Sequence, residues 1–224
     1  MPHIIAVDLE LTQNTGSTPK IIEIGALAFD LSTGRVKDLF SKTCNPGELP
    51  CAMITQLTGI TPEIISRSKS LDEVLREFWT WIGSMQAGRE LLTWGDGDVR
   101  TLNEAARVWG TEGKPLRSIN IKPMFAPIRL LLGLSKTGGL GQTLDDIGLG
   151  FKGSAHCTVA DAYNTARAYL YLQQVIEGGL IIRHGPKRVK GRGFVLEELD
   201  REAEKIVRET LSSRPDLTCH NQTQ

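Results

Sequence analysis

Apolar and polar positions along the chain change period several times, and each change predicts an element. Residues 3–11 (HIIAVDLEL) and 21–30 (IIEIGALAFD) are apolar runs rich in Ile, Val and Ala, broken only by a few acids. Both are bounded by turn-forming residues and predict neighbouring strands. Residues 36–44 (VKDLFSKTC) alternate as a third strand, and Leu31-Ser32-Thr33-Gly34 supplies the turn before it. Three consecutive strands predict an antiparallel meander. After Pro50 the period shifts. Ser70-Leu71-Asp72-Glu73 offers a cap and an acidic first turn, followed by apolar residues at helical spacing through Phe78, Trp79 and Ile82. Leu91 to Trp94 predicts a short buried strand, and Asp98 to Trp109 a helix leaving it. Residues 122–132, with Pro127 inside, and 143–149 predict two further helices, and 156–176 a long amphipathic one. A meander followed by alternating strand and helix is an α/β layout, with helices covering a mixed sheet.

Gly178-Gly179 interrupts the last of these helices. Beyond it, Arg183 to Arg192 holds five Lys or Arg and no acid, residues 194–211 read as a charged amphipathic helix, and the final dozen residues as a polar tail. The division expected is therefore one domain over residues 1–176 and an extension over 177–224. The basic stretch is read either as a phosphate-holding surface or as a solvated linker.

Composition narrows the class. A chain of 224 residues, 40% hydrophobic and 23% charged, can bury one good core. Its 26 basic and 26 acidic residues cancel, so a nucleic-acid partner would have to be met by a local patch or by bound metal. The chain has no apolar run of about 18 residues, so no membrane-spanning helix is expected, and MPHIIAVDLEL does not read as a secretory signal. Cys44, Cys51, Cys157 and Cys219 are scattered without a C-x-x-C pair. That spacing argues against zinc and for reduced thiols in a cytoplasmic protein.

Three clusters could carry chemistry. Asp8 and Glu10, two apart on a strand, project from one face. Burying both raises each one's pKa unless a cation lies between them, and hard oxygen ligands suit Mg²⁺ or Mn²⁺. Asp96 and Asp98 lie in Gly95-Asp96-Gly97-Asp98, where a strand gives way to a helix. α/β folds place functional groups there, and helix caps sit there too. His156 and Asp161 open the long helix. Five residues are about 140° of helical rotation, so the two converge only if His156 precedes the helix. A histidine there can serve as a general base, or simply cap the helix.

Taken in chain order, these segments resemble the DEDDh exonucleases, the DnaQ-like branch of the ribonuclease H-like fold. Asp8-Leu9-Glu10 is similar to that family's first motif, and Ile22-Glu23-Ile24-Gly25-Ala26 to the strand that follows it. Trp94-Gly95-Asp96-Gly97-Asp98 resembles the second motif, ending on Asp98. His156 through Asp161-Ala162 and Asn164-Thr165-Ala166 resembles the third, whose His-x4-Asp spacing marks the histidine subclass. Gln56-Leu57-Thr58-Gly59-Ile60-Thr61 resembles a segment of the Eri-type members. The resemblance spans residues 4–176. Cys157 and Ala160 depart from the residues common there, and residues 11–20 form a small polar loop, which bears on substrate preference.

The resemblance implies a mixed five-stranded sheet flanked by helices. It also implies a metal-dependent 3′→5′ exonuclease that releases nucleoside 5′-monophosphates from single-stranded DNA or RNA. Two Mg²⁺ or Mn²⁺ would be cofactors, with Asp8, Glu10 and Asp161 holding one, Asp8 bridging to the second and Asp98 completing the set. His156 would be the base. Leu11, Thr12 and Leu57 would contact the terminal nucleotide, with Leu57 wedged against the last base. Trp94 is read as core. A proofreading subunit working with a polymerase partner, a homodimer, and a silent binding member of the fold are the alternatives such a chain allows.

Overall fold

The computed structural model describes residues 3–178 apart from 15, 86 and 112–114. The basic stretch at 183–192, the helix expected at 194–211 and Cys219 lie outside the described residues. β1 (His3–Leu11), β2 (Ile21–Asp30) and β3 (Val36–Thr43) form the expected meander, and β4 (Glu90–Thr93) and β5 (Arg117–Asn120) complete a sheet of order β3-β2-β1-β4-β5. β1 pairs antiparallel with β2 and β2 with β3, while β1–β4 and β4–β5 are parallel. The sheet is therefore mixed, as the α/β layout requires.

Both faces of β1 are covered, which is why its sequence is nearly all apolar. Ile5, Val7 and Leu9 point into a core shared with Leu71, Val74, Leu75 and Phe78 of α3 (Leu71–Ser84) and with Val99 and Leu102 of α4 (Gly97–Val108). Ala6 points to the other side, where α5 (Ala126–Leu131), α6 (Leu140–Asp146) and α7 (Thr158–Gly178) build a second core around Phe125, Leu144, Tyr163 and Ala166. α3 begins with the capping box read from Ser70 and Glu73.

Four local outcomes differ from the sequence pattern. The helix expected over 122–132 is split into a 3-10 turn (Lys122–Phe125) and α5. Each piece starts with a proline in its first turn, where the missing N–H has no helical partner to lose. The helix expected from Thr143 starts at Leu140, since Thr143 N–H already bonds Gly139 O at 3.0 Å and Thr143 lies inside the helix. It closes before Gly148 and Gly150, both at positive φ. α7 begins at Thr158, leaving His156 outside it.

Two helices and a strand carried no periodic signal long enough to predict. These are α1 (Ala52–Thr58), α2 (Pro62–Arg67) and β5, each four to seven residues long. Gly59 (φ 76°) stops α1, and Thr61 Oγ1 accepts Ile64 N–H to start α2. Buried Ile54, Ile60 and Ile65 lock this pair onto Ile22 of β2.

Candidate active site

Asp8 and Glu10 follow Ala6 on the α7 side of β1, at positions 6, 8 and 10 of one face. Directly opposite on β2 lie Gly25 and Glu23. The glycine lets the helix in: a Cβ at Gly25 would stand 2.2 Å from Thr158 Oγ1 and 2.5 Å from the Thr158 backbone carbonyl carbon. The first turn of α7 thus sits against bare backbone, and this close approach brings Asp161 to the two acids of β1. β4 runs parallel to β1 beside it, so the chain leaving β4 enters α4 at the same end of the sheet. Asp98 comes into the first turn of α4 there. Asp96 is the α4 N-cap residue but makes no side-chain capping bond.

The electrostatics show that these acids share one field. Burial, then Asp161, Asp98, Glu10 and Glu23 in decreasing order, hold Asp8 well above the usual carboxylate range. Glu10 is pushed up to about 8 by burial and by Asp161, Glu23 and Asp98. Asp161 rises to about 7, chiefly through burial, with the His156 backbone N–H pulling it down and Asp98 pushing it up. Burial takes Asp98 to about 6. Asp98 raises the other three, Asp161 raises Asp8 and Glu10, and carboxyls held up in this way form a site that a cation would stabilise.

His156 lies before the helix, as convergence required. Its backbone is left-handed (φ 62°), and its Nδ1 stands 3.8 Å from Glu10 Oε1. About half the side chain faces solvent.

Hard divalent ions fit this donor set. All four side chains are oxygen donors, and Asp161 Oδ2 is buried with no hydrogen-bond partner. A buried carboxylate oxygen left unpaired is destabilising, and a cation is the natural partner for it. Among the described residues, no three His, Cys, Asp or Glu side chains are already gathered closely enough to grip an ion.

Glu23 is the site residue that the reading of single clusters passed over. It is buried beside Glu10, contributes to raising both Asp8 and Glu10, and accepts a hydrogen bond from Thr158 Oγ1 at 3.0 Å. Its signal was present: a lone carboxylate between isoleucines on a strand is the same anomaly that singled out Asp8.

The three residues expected to meet the nucleotide are placed differently. Leu57 is 47% exposed, so it is no core residue. Leu11 is half-buried and packs on the α3-side core. Thr12 is fully buried, and its Oγ1 accepts Lys20 N–H at 3.1 Å, so its side chain is committed to closing the loop that follows β1. Trp94 packs on the α7-side core against Phe125, ring centroids 5.5 Å apart, as core rather than platform. Cys44 and Cys51 are free thiols.

The chain belongs to the exonuclease family whose model, RNase_T, matches residues 5–169. The fold is that of DEDDh 3′-exonucleases. The nuclease domain of 3'hExo, a DEDDh family member bound to rAMP, superposes with a TM-score of 0.67 at 23% identity, over 83% of this chain and 97% of that one. Cell-death related nuclease 4 gives 0.66 at 17% identity, over 91% and 78%. Among curated proteins, ERI1 exoribonuclease 2 of Danio rerio is 29% identical over 189 residues, which is 73% of this chain and 33% of that protein. The mouse ERI1 exoribonuclease 2 is 27% identical over 81% of this chain and 29% of its own length. The chain thus spans about a third of the length of these relatives. No helix among the described residues is long and apolar enough to cross a membrane.

Proposed function

We propose that this chain is a divalent-metal-dependent 3′→5′ exonuclease that removes nucleoside 5′-monophosphates from single-stranded nucleic acid. The observation that carries the reading is the meeting of Asp8, Glu10, Asp98 and Asp161 in one buried field, with an unpaired Asp161 oxygen and His156 at its rim. Two Mg²⁺ or Mn²⁺ ions on those four carboxylates would lower the pKa of a bound water and offset charge on the departing 3′ oxygen.

The chain's own groups supply the rest. The four carboxylates would hold the ions beside the scissile phosphate. The imidazole of His156, half in solvent beside Glu10, takes the proton from the attacking water and passes it outward. Leu57, exposed on α1, wedges against the terminal base, and the backbone at Leu11 and Thr12 meets the terminal sugar. Relatives described as exoribonucleases favour RNA as the polymer. DNA polymerase III PolC-type relatives match over 80 residues or fewer, and keep a polymerase-associated role as the alternative.

The test is digestion of 5′-labelled single-stranded RNA and DNA with Mg²⁺, Mn²⁺ or chelator. A one-nucleotide ladder that vanishes with chelator and in Asp8→Ala supports the reading. Undiminished activity in Asp8→Ala, or in chelator, would sink it.

A further inference from the structure

The stretch from Leu149 to Gly153 has no regular structure, yet the stripe of α7 beneath it is built to hold it. Ala160, Asn164 and Arg167 fall at i, i+4 and i+7, so they line one side of α7. Asn164 is fully buried and Arg167 nearly so. The Asn164 carboxamide takes both backbone groups of one loop residue: Oδ1 accepts Lys152 N–H at 3.1 Å, and Nδ2 donates to Lys152 O at 2.7 Å. One turn further along, Arg167 Nη1 donates to Gly150 O at 2.8 Å and Nη2 to Leu149 O at 3.1 Å. Arg167 Nη1 also donates to Asn164 Oδ1 at 2.9 Å, which couples the two side chains. At the near end, Gly153 (φ 81°) is pressed so close that a Cβ there would lie 3.0 Å from Ala160 Cβ.

Only Ser154 and Ala155 separate this pinned stretch from His156. His156 has left-handed backbone, which a non-glycine residue keeps only when its surroundings impose it. Its backbone N–H is engaged by Asp161, so the histidine is tethered on the helix side by Asp161 and on the loop side by Lys152. Burying a guanidinium to hold two carbonyls is an expensive way to fill a core position that Met or Leu would fill more cheaply. The return is a loop whose end cannot wander.

We propose that Asn164 and Arg167 are positioning residues that act through the Leu149–Gly153 loop to keep the His156 imidazole at the rim of the carboxylate cluster. The proposal rests on the reading of His156 as the base. Neither side chain is required to touch substrate or metal.

The experiment is a double-mutant cycle on turnover of a single-stranded oligonucleotide in Mg²⁺, with ion affinity followed by calorimetry. Asn164→Ala and Arg167→Met should each lower kcat by about 10–100-fold, the range expected for an ångström-scale misplacement of a proton acceptor. KM and Mg²⁺ affinity should stay within about threefold, because no group that binds either is removed. Arg167→Lys, which retains the charge and a donor, should recover part of the loss. In a His156→Ala background the same substitutions should lower kcat by no more than about twofold, since effects carried by one group do not multiply. Gly153→Ala disturbs the loop where it meets Ala160 without emptying the core, and it should show the same signature where a buried variant does not fold. Losses that multiply in the His156→Ala background, or that fall on KM or ion affinity, would overturn the proposal. A His156→Ala protein with wild-type kcat would instead overturn the assignment of the base, and the proposal with it.

Discussion

Gly25→Ala is a one-carbon change in a buried strand, yet the structure gives it a severe consequence. The new methyl would stand 2.2 Å from Thr158 Oγ1, 2.4 Å from Thr158 Cβ and 2.5 Å from the Thr158 backbone carbonyl carbon. Relief needs the first turn of α7 to retreat from β2 by about 1 Å, since packed carbon atoms settle at roughly 3.5–4.0 Å. That turn carries Asp161, and Thr158 holds Glu23 at 3.0 Å. Catalytic geometry tolerates about 0.5 Å, and a 1 Å misplacement lowers turnover about a hundredfold. Overpacking of this kind destabilises by about 1–3 kcal/mol. The expected result is a folded protein with a lowered urea midpoint and kcat on labelled oligonucleotide down about a hundredfold. Adding Thr158→Ala removes Oγ1 but leaves the backbone carbon in place, so activity should not return. Turnover in Gly25→Ala equal to wild type, or full rescue by Thr158→Ala, would refute the claim that bare backbone at this position sets the helix approach.

Other outcomes follow from the same packing and charge. Glu10 is held at about 8 against an ordinary 4.5, so between those pH values the unfolded chain releases a proton that the folded one keeps. Folding then takes up a proton, and metal-free stability should fall as pH rises from about 4.5 to 8, by at most about 4–5 kcal/mol from this group. Urea unfolding in chelator should show that slope, with Glu10→Gln or added Mg²⁺ flattening it; a slope unmoved by Glu10→Gln would contradict the shared field. Arg129 is buried in an ion pair with Asp146 and donates to Ser135 O at 2.9 Å. Arg129→Ala should destabilise by about 3–5 kcal/mol by stranding a buried carboxylate, and Asp146→Asn should recover part of this, both read from denaturation midpoints. Leu57→Ala should raise KM for single-stranded oligonucleotide with little change in kcat; an unaltered KM would remove Leu57 from the substrate surface.

The sequence was most legible where a pattern is local. The alternation of β1 placed Asp8 and Glu10 on one face, the capping box of Ser70 and Glu73 marked α3, and the five-residue spacing of His156 and Asp161 required the histidine to lie before the helix. Each of these rests on residues within one or two turns of each other. α1, α2 and β5 were illegible because they are short and are held by contacts from elsewhere, as Ile54 and Ile65 are held by Ile22. The Thr61-Pro62 start and the Gly59 stop were present, but four residues of turn chemistry read equally well as a loop.

What the chain determines by itself is therefore the identity of its acids and the faces from which they project, because side-chain direction follows from backbone period. What only the tertiary structure decides is that those faces meet. Glu23 joins the cluster through the β1–β2 register that sets it opposite Glu10. Asp161 joins because Gly25, 136 positions away, leaves room for the first turn of α7. Asn164 and Arg167 take hold of a loop by hydrogen bonds to its backbone, which depend on the path of the loop rather than on its residue types. Register, close approach and backbone path are settled by packing over long sequence separations, and no local period records them.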